Sequence, residues 1–205
     1  MRRWQHRPPI IALIGVDGAG KTTQARRLAA ALRAEGQPAR SFENGGGRPV
    51  IDALAHRLGR RDGPDLLGAR RHVALEAAFR AVGITRALLL SRLSGQIAVM
   101  DRYTYCQYAA MRTRGSPGER QVRAFYRFFP APDLTVWCTL PASCAARRVE
   151  HRGRDREDPT RLRALADAYA GLPEAARFHN LPVTGTTEDV HDDLWRLART
   201  TLGAP

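Results

Sequence analysis

The sequence predicts an α/β fold: a five-stranded parallel sheet with helices on both faces, three layers in all. Three observations predict it. Short apolar runs alternate with longer segments of helical period. The runs are continuously apolar, as expected of strands covered on both sides. The first run ends in glycines directly ahead of a helix, which leaves backbone N–H groups aimed at whatever sits beyond the strand.

Taken in order, PPIIALIGVDG (8–18) is a buried strand feeding a loop. KTTQARRLAAALRAEG (21–36) spaces Leu28, Ala29 and Leu32 as one helix face and closes on Gly36. PARSF (38–42) is the second strand, and ENGGGRP (43–49) reads as a flexible loop. Residues 49–60 and 66–93 read as helices, with an interruption near Gly83. QIAVMD (96–101) is a third buried strand ending in an acid, and PDLTVWCTL (132–140) a fourth. ASCAARRVEHRG (142–153) begins a helix that runs into an arginine-rich loop, a lid at about 147–158. HNLPVTG (179–185) is the fifth strand, and TEDVHDDLWRLARTTL (187–202) a capped final helix. No repeat and no linker composition divides residues 1–205, so a single domain is expected.

With 205 residues, 43% of them hydrophobic, the chain is long and apolar enough for a full globular core. No apolar run approaches the roughly 20 residues of a membrane helix. MRRWQHRPPI is basic, but no signal-like apolar segment follows it. Cys106, Cys138 and Cys144 are odd in number and lack metal-ligand spacing. A cytoplasmic protein with free thiols is expected, without membrane attachment. The net charge of +13 suits a polyanionic ligand. The arginines are spread along the chain with no aromatic-interleaved basic block, so small nucleotides are favoured over a nucleic-acid polymer.

Gly15, Gly20, Lys21 and Thr22 fit G-x-x-x-x-G-K-[ST], between a strand and a helix, the context this motif requires. The backbone of Gly15, Val16, Asp17, Gly18, Ala19 and Gly20 is expected to curl around the phosphates of ATP, continuing into Thr23. Lys21 would reach the β- and γ-phosphates, and the Thr22 hydroxyl would bind Mg²⁺. Lys21 is the only lysine among 33 basic residues. A coding bias toward arginine accounts for the rest. It stops at Lys21 because a compact ammonium fits inside the loop and a planar guanidinium does not.

Three blocks in this order, GVDGAGKTT, then DRY at 101–103, then PDLTVWCTLP followed by RRVEHRGRDRE, resemble the thymidylate kinases, a family of P-loop nucleoside monophosphate kinases. The resemblance implies a P-loop kinase fold and transfer of the γ-phosphoryl group of ATP, with Mg²⁺, to a nucleoside monophosphate. It implies that Asp17 holds the acceptor sugar hydroxyl, that Arg102 clamps the acceptor phosphate, that Asp101 assists Mg²⁺ through water and that Tyr103 packs beside the sugar. The phosphate loop contains no arginine at 16–19, so the lid is expected to supply one, from Arg148, Arg152, Arg154 and Arg156, with Arg152 and Arg156 the favoured catalytic pair. The family commonly dimerises through helices, and the apolar stretch 73–93 reads equally as a homodimer surface or as a buried core helix.

The acceptor pocket departs from the family pattern. Glu76 stands where the family stacks a phenylalanine on thymine, while the base-contacting Arg80 is retained. Glu76 either accepts a hydrogen bond from the base or pairs with Arg80, since i and i+4 share a helix face. Cys106 and Gln107 follow the DRY block, Gln107 in the base-contacting place. Ala110 replaces a tyrosine that crowds the sugar 2′ position, which implies weaker discrimination against ribose. The resemblance implies dTMP as acceptor, and these departures a related, modified nucleotide. Two other readings stay open here: a kinase of a nucleoside or another small alcohol, and a nucleotide-binding ATPase without kinase activity.

Overall fold

The computed structural model describes residues 7–150 and 158–203. Five strands, β1 (Ile10–Gly15), β2 (Ala39–Glu43), β3 (Ile97–Asp101), β4 (Leu134–Thr139) and β5 (His179–Pro182), form one sheet in the order β2-β3-β1-β4-β5. Every pairing is parallel. Parallel neighbours need crossovers, and helices supply them. They are α1 (Lys21–Ala34), α2 (Arg48–Arg57), α3 (Gly63–Leu67), α4 (Ala69–Ser94), α5 (Thr104–Thr113), α6 (Glu119–Tyr126), α7 (Ala142–Glu150), α8 (Pro159–Ala170) and α9 (Thr187–Leu202). Among the described residues no helix is long and apolar enough to cross a membrane, and Cys106, Cys138 and Cys144 are free thiols.

The pleat of β1 explains its unbroken apolar run. Ile11 and Leu13 face a core shared with Leu28 and Leu32 of α1 and Leu194 of α9. Ile10, Ala12 and Ile14 face the other core, with Ile84 of α4 and Met111 of α5. Each fully buried Leu or Ile contributes about 1.5–3 kcal/mol, so both faces must be apolar. The helices after the neighbouring strands β1 and β3 therefore leave on opposite sides of the sheet, α1 on one face and α5 on the other. A crevice opens between the carboxyl ends of these two strands, where open parallel sheets bind ligands.

Two expectations give way. The helix over 69–94 runs unbroken through Gly83. Glycine is there for packing: a Cβ at Gly83 would lie 3.3 Å from Asn44 Oδ1. The segment after β2 is pinned, not loose. Asn44 is 1% exposed, its N–H donates to the Asp101 carbonyl at 3.0 Å, and its Nδ2 donates to the Arg102 carbonyl at 3.0 Å. Helices α5, α6 and α8 occupy stretches for which the sequence carried no assignment. The final helix has its cap, a reciprocal pair between Thr186 and Asp189.

Candidate active site

The phosphate loop runs from the end of β1 into the first turn of α1. Gly18 has φ 85° and a Cβ there would meet the Ala145 carbonyl oxygen at 2.6 Å, so both the turn and the approach of α7 require glycine. Helix α7 thus starts against the loop and carries Arg148 toward it. Lys21 is 4% exposed and folds back, Nζ donating to the Val16 carbonyl at 2.6 Å. Burial and the Arg102 charge push its pKa down, against the pull of Asp17 and Asp101. A phosphate entering the loop would relieve that burden by supplying negative charge.

Asp17 sits on the loop 3.8 Å from Lys21 Nζ, and its Oδ1 accepts from Arg102 Nη2. Burial works against the Arg102 charge, but Asp17, Cys106 and Asp101 outweigh it and raise its pKa. Arg102 has φ 76°, the single left-handed non-glycine residue among those described. That backbone turn throws the guanidinium back across the crevice instead of along the strand. Beside it, the Thr22 hydroxyl donates to Asp101 Oδ2, while Asp101 Oδ1 is buried without a partner.

Lys21, Asp17, Thr22, Asp101 and Arg102 therefore converge, drawn from the loop after β1, the start of α1, the end of β3 and the residue that follows it. Arg152 and Arg156, with Arg154, lie outside the described residues. Arg148 lines a cleft of about 210 Å³ beside the loop, together with Thr23, Gln24, Gly185, Thr186 and Val190. The cleft walls Gln24, Gly185, Thr186 and Val190 were missed from sequence, because α9 meets α1 only in three dimensions.

The acceptor residues form a second, buried network. Glu76 is 4% exposed and does not pair with Arg80. It receives two hydrogen bonds from Arg114, 3.0 Å at Oε1 and 2.6 Å at Oε2. Burial raises the Glu76 carboxyl, but the bonds and charge of Arg114, with His72 and Gln107, hold it below the usual range. Gln107 Nε2 donates to Glu76 Oε2 at 3.3 Å, and Gln107 Oε1 accepts from Arg80 Nε at 3.4 Å. Arg80 Nη1 donates to the Asn44 carbonyl at 2.8 Å. Arg114 and Asn44 were not singled out from sequence; a buried acid on α4 demands a cation, but only the fold says which. Tyr103 is 1% exposed within the core around α4 and α5, and its hydroxyl donates to the Pro130 carbonyl at 2.5 Å.

An ammonium within a glycine loop, and a guanidinium and a buried carboxylate at the end of the next strand, suit the movement of a phosphoryl group between two polyanions. The class is that of the P-loop kinases. The sequence model of the family "Thymidylate kinase" matches residues 14–194. A thymidylate kinase of Gluconobacter oxydans is 33% identical over 166 residues, 78% of this chain and 74% of the relative. One of Rhizorhabdus wittichii is 29% identical, over 88% of this chain and 91% of the relative. A probable thymidylate kinase of Pyrococcus abyssi is 28% identical, over 92% and 95%. The chain belongs to the thymidylate kinase family and is an ATP-dependent nucleoside monophosphate kinase.

The family implies Mg²⁺. The residues fit it: Asp101 Oδ1 is a buried oxygen with no partner, next to the Thr22 hydroxyl. Among the described residues no group of three or more His, Cys, Asp or Glu side chains could hold a metal. Mg²⁺ keeps water and takes most of its other ligands from substrate phosphates.

Proposed function

We propose that this chain phosphorylates thymidine monophosphate with ATP, as one kinase domain whose lid is residues 147–158. The observation that carries this is the convergence of Lys21, Asp17, Asp101 and Arg102 at the β1–β3 crevice, beside the Arg80–Gln107 network. The loop 15–23 wraps the triphosphate, with Lys21 leaving the Val16 carbonyl for the β- and γ-phosphates. The donor base enters the cleft of Arg148 and Thr186, where a guanidinium plane can stack on it. Asp17 takes the sugar hydroxyl and Arg102 the acceptor phosphate. Thr22, and Asp101 through water, would hold Mg²⁺, which neutralises charge on the phosphoryl oxygens when bound. Lid arginines 152 and 156 add cations to the transferred group.

Glu76, neutralised by Arg114, presents no free carboxylate to the base, so Arg80 and Gln107 are the base contacts. The test is ATP turnover against dTMP, dUMP, dCMP, dGMP and their ribose forms, with thymidine and no acceptor as controls. Turnover that follows dTMP supports the reading. Turnover equal without acceptor, or preferring thymidine, overturns it.

The acting unit is a homodimer in this reading. Val50 and Leu58 near the ends of α2 and Val82, Leu89 and Leu93 on α4 are exposed, an apolar surface that a second copy would cover.

A further inference from the structure

The unusual feature of the acceptor network is a buried ion pair that touches no part of the phosphate machinery. Glu76 and Arg114 come from different helices, α4 and the end of α5. Arg114 Nε donates to the Ala110 carbonyl at 3.1 Å, which folds its side chain back along α5 toward Glu76. Beyond Arg114, Glu76 faces His72, whose Nε2 lies 3.3 Å from Oε1, and the Gln107 amide, whose Nε2 donates to Oε2.

An amide has one donating and one accepting end, and nothing in its own shape fixes which way it points. Its neighbours fix it here. Arg80 offers only donors and Glu76, ionised, only acceptors. One orientation satisfies both, Oε1 toward Arg80 and Nε2 toward Glu76, as observed. The reverse sets N–H against N–H and oxygen against carboxylate. Arg80 is 6% exposed. It spends Nε and Nη1 on Gln107 and Asn44, and Nη2 makes no hydrogen bond among the described residues. Against Nη2 lies Gly46, which brings no side chain: a Cβ there would come within 2.9 Å of Nη2 and 3.9 Å of Gln107 Oε1. The network thus offers a ligand a donor, Arg80 Nη2, next to an acceptor, Gln107 Oε1.

We propose that Glu76 and Arg114 are positioning residues which lock the Gln107 amide, so that the pocket accepts a base with a keto oxygen beside a ring N–H and rejects a 4-aminopyrimidine. The keto oxygen takes Arg80 Nη2 and the ring N–H takes Gln107 Oε1. A 4-aminopyrimidine would bring an amino donor to Arg80 and a bare ring nitrogen to Oε1, and the lock forbids the amide turn that would accommodate it. Sites built of buried polar partners reject mismatched ligands strongly, because the site's own groups are left unpaired. This rests on the thymidine monophosphate reading above and adds the origin of its base selectivity.

The test is the ratio of kcat/KM for dTMP to that for dCMP, in native enzyme, Arg114→Met, the double variant Glu76→Met with Arg114→Met, and Arg114→Lys. The single change strands a buried carboxylate and can unfold the chain. The double change removes both charges at similar volume and keeps the question answerable. The expected result is a strong dTMP preference in the native enzyme. That preference should fall at least tenfold in the folded Met variants, carried by KM more than kcat, with partial recovery in Arg114→Lys. A purely structural pair would lower both substrates alike, so an unchanged ratio in the double variant overturns the positioning role while leaving the reaction intact. Native enzyme that turns over neither nucleotide overturns the reaction and the inference together.

Discussion

Arg102 reaches from the end of β3 across the crevice and donates through Nη2 to Oδ1 of Asp17 on the phosphate loop. The reach depends on its left-handed backbone, φ 76°, a conformation that costs a non-glycine residue about 1–3 kcal/mol. Hydrogen bonds on both sides hold it: its N–H donates to the Leu13 carbonyl at 3.0 Å and its carbonyl accepts from Asn44 Nδ2 at 3.0 Å. Strain of this kind at a crevice is what a residue that acts on substrate would carry, and it makes Arg102 the residue to test.

Arg102→Gly separates the two. Glycine adopts the turn without strain, which offsets the lost, partly exposed ion pair. The melting temperature is expected to move by no more than about 4 °C, while turnover falls about 10²–10³-fold, as for loss of one transition-state donor. Calorimetry and a coupled kinase assay read both. A large loss of stability with turnover intact would assign Arg102 to the scaffold.

The strands and the phosphate loop were legible because their signals are local: unbroken apolar runs, and glycines at fixed spacing around Lys21. Helix α5 was not, since TYCQYAAMRT mixes aromatic and β-branched residues and its N-cap, Tyr103, makes no side-chain cap. Gly83 misled because a helix-weakening residue can equally mark close packing, here against Asn44. The Glu76 partner was out of reach of helix periodicity: His72 and Arg80 share its face, but Arg114 arrives from another helix. His72 illustrates the limit, with Nε2 3.3 Å from Glu76 Oε1 and neither ring nitrogen hydrogen-bonded.

Asp101→Asn keeps the shape of the buried carboxylate and removes its charge. Expected is a higher Mg²⁺ requirement, by about tenfold or more given what neighbours of a metal contribute, with KM for the nucleotide acceptor little changed. Titration of turnover with Mg²⁺ checks it. An unaltered Mg²⁺ dependence would take Asp101 out of the metal's surroundings.

The Glu76 carboxyl ionises below its usual range in the folded chain. Its stabilisation is therefore complete above the unfolded pKa, about 4.3, and is lost as pH falls through the lower folded value. Glu76→Gln is expected to cost about 1–3 kcal/mol at neutral pH. The gap to native protein should close below about pH 4. Melting curves from pH 3 to 8 test this; a gap constant with pH would mean that the charge contributes nothing.

Val82→Arg with Leu89→Arg places charge on the exposed face of α4, away from the crevice. In sedimentation velocity the native chain is expected at the dimer mass and this variant at the monomer mass. A monomeric native chain would refute the dimer.

The central claim is that γ-phosphoryl passes to the phosphate of a thymidine nucleotide. The direct measurement is the fate of label from γ-labelled ATP mixed with dTMP, in native enzyme and in Lys21→Ala. Label in thymidine diphosphate, reduced about 10²-fold or more when the loop ammonium is removed, is the predicted result. Label released as inorganic phosphate at a rate indifferent to dTMP, or transfer undiminished in Lys21→Ala, would contradict it.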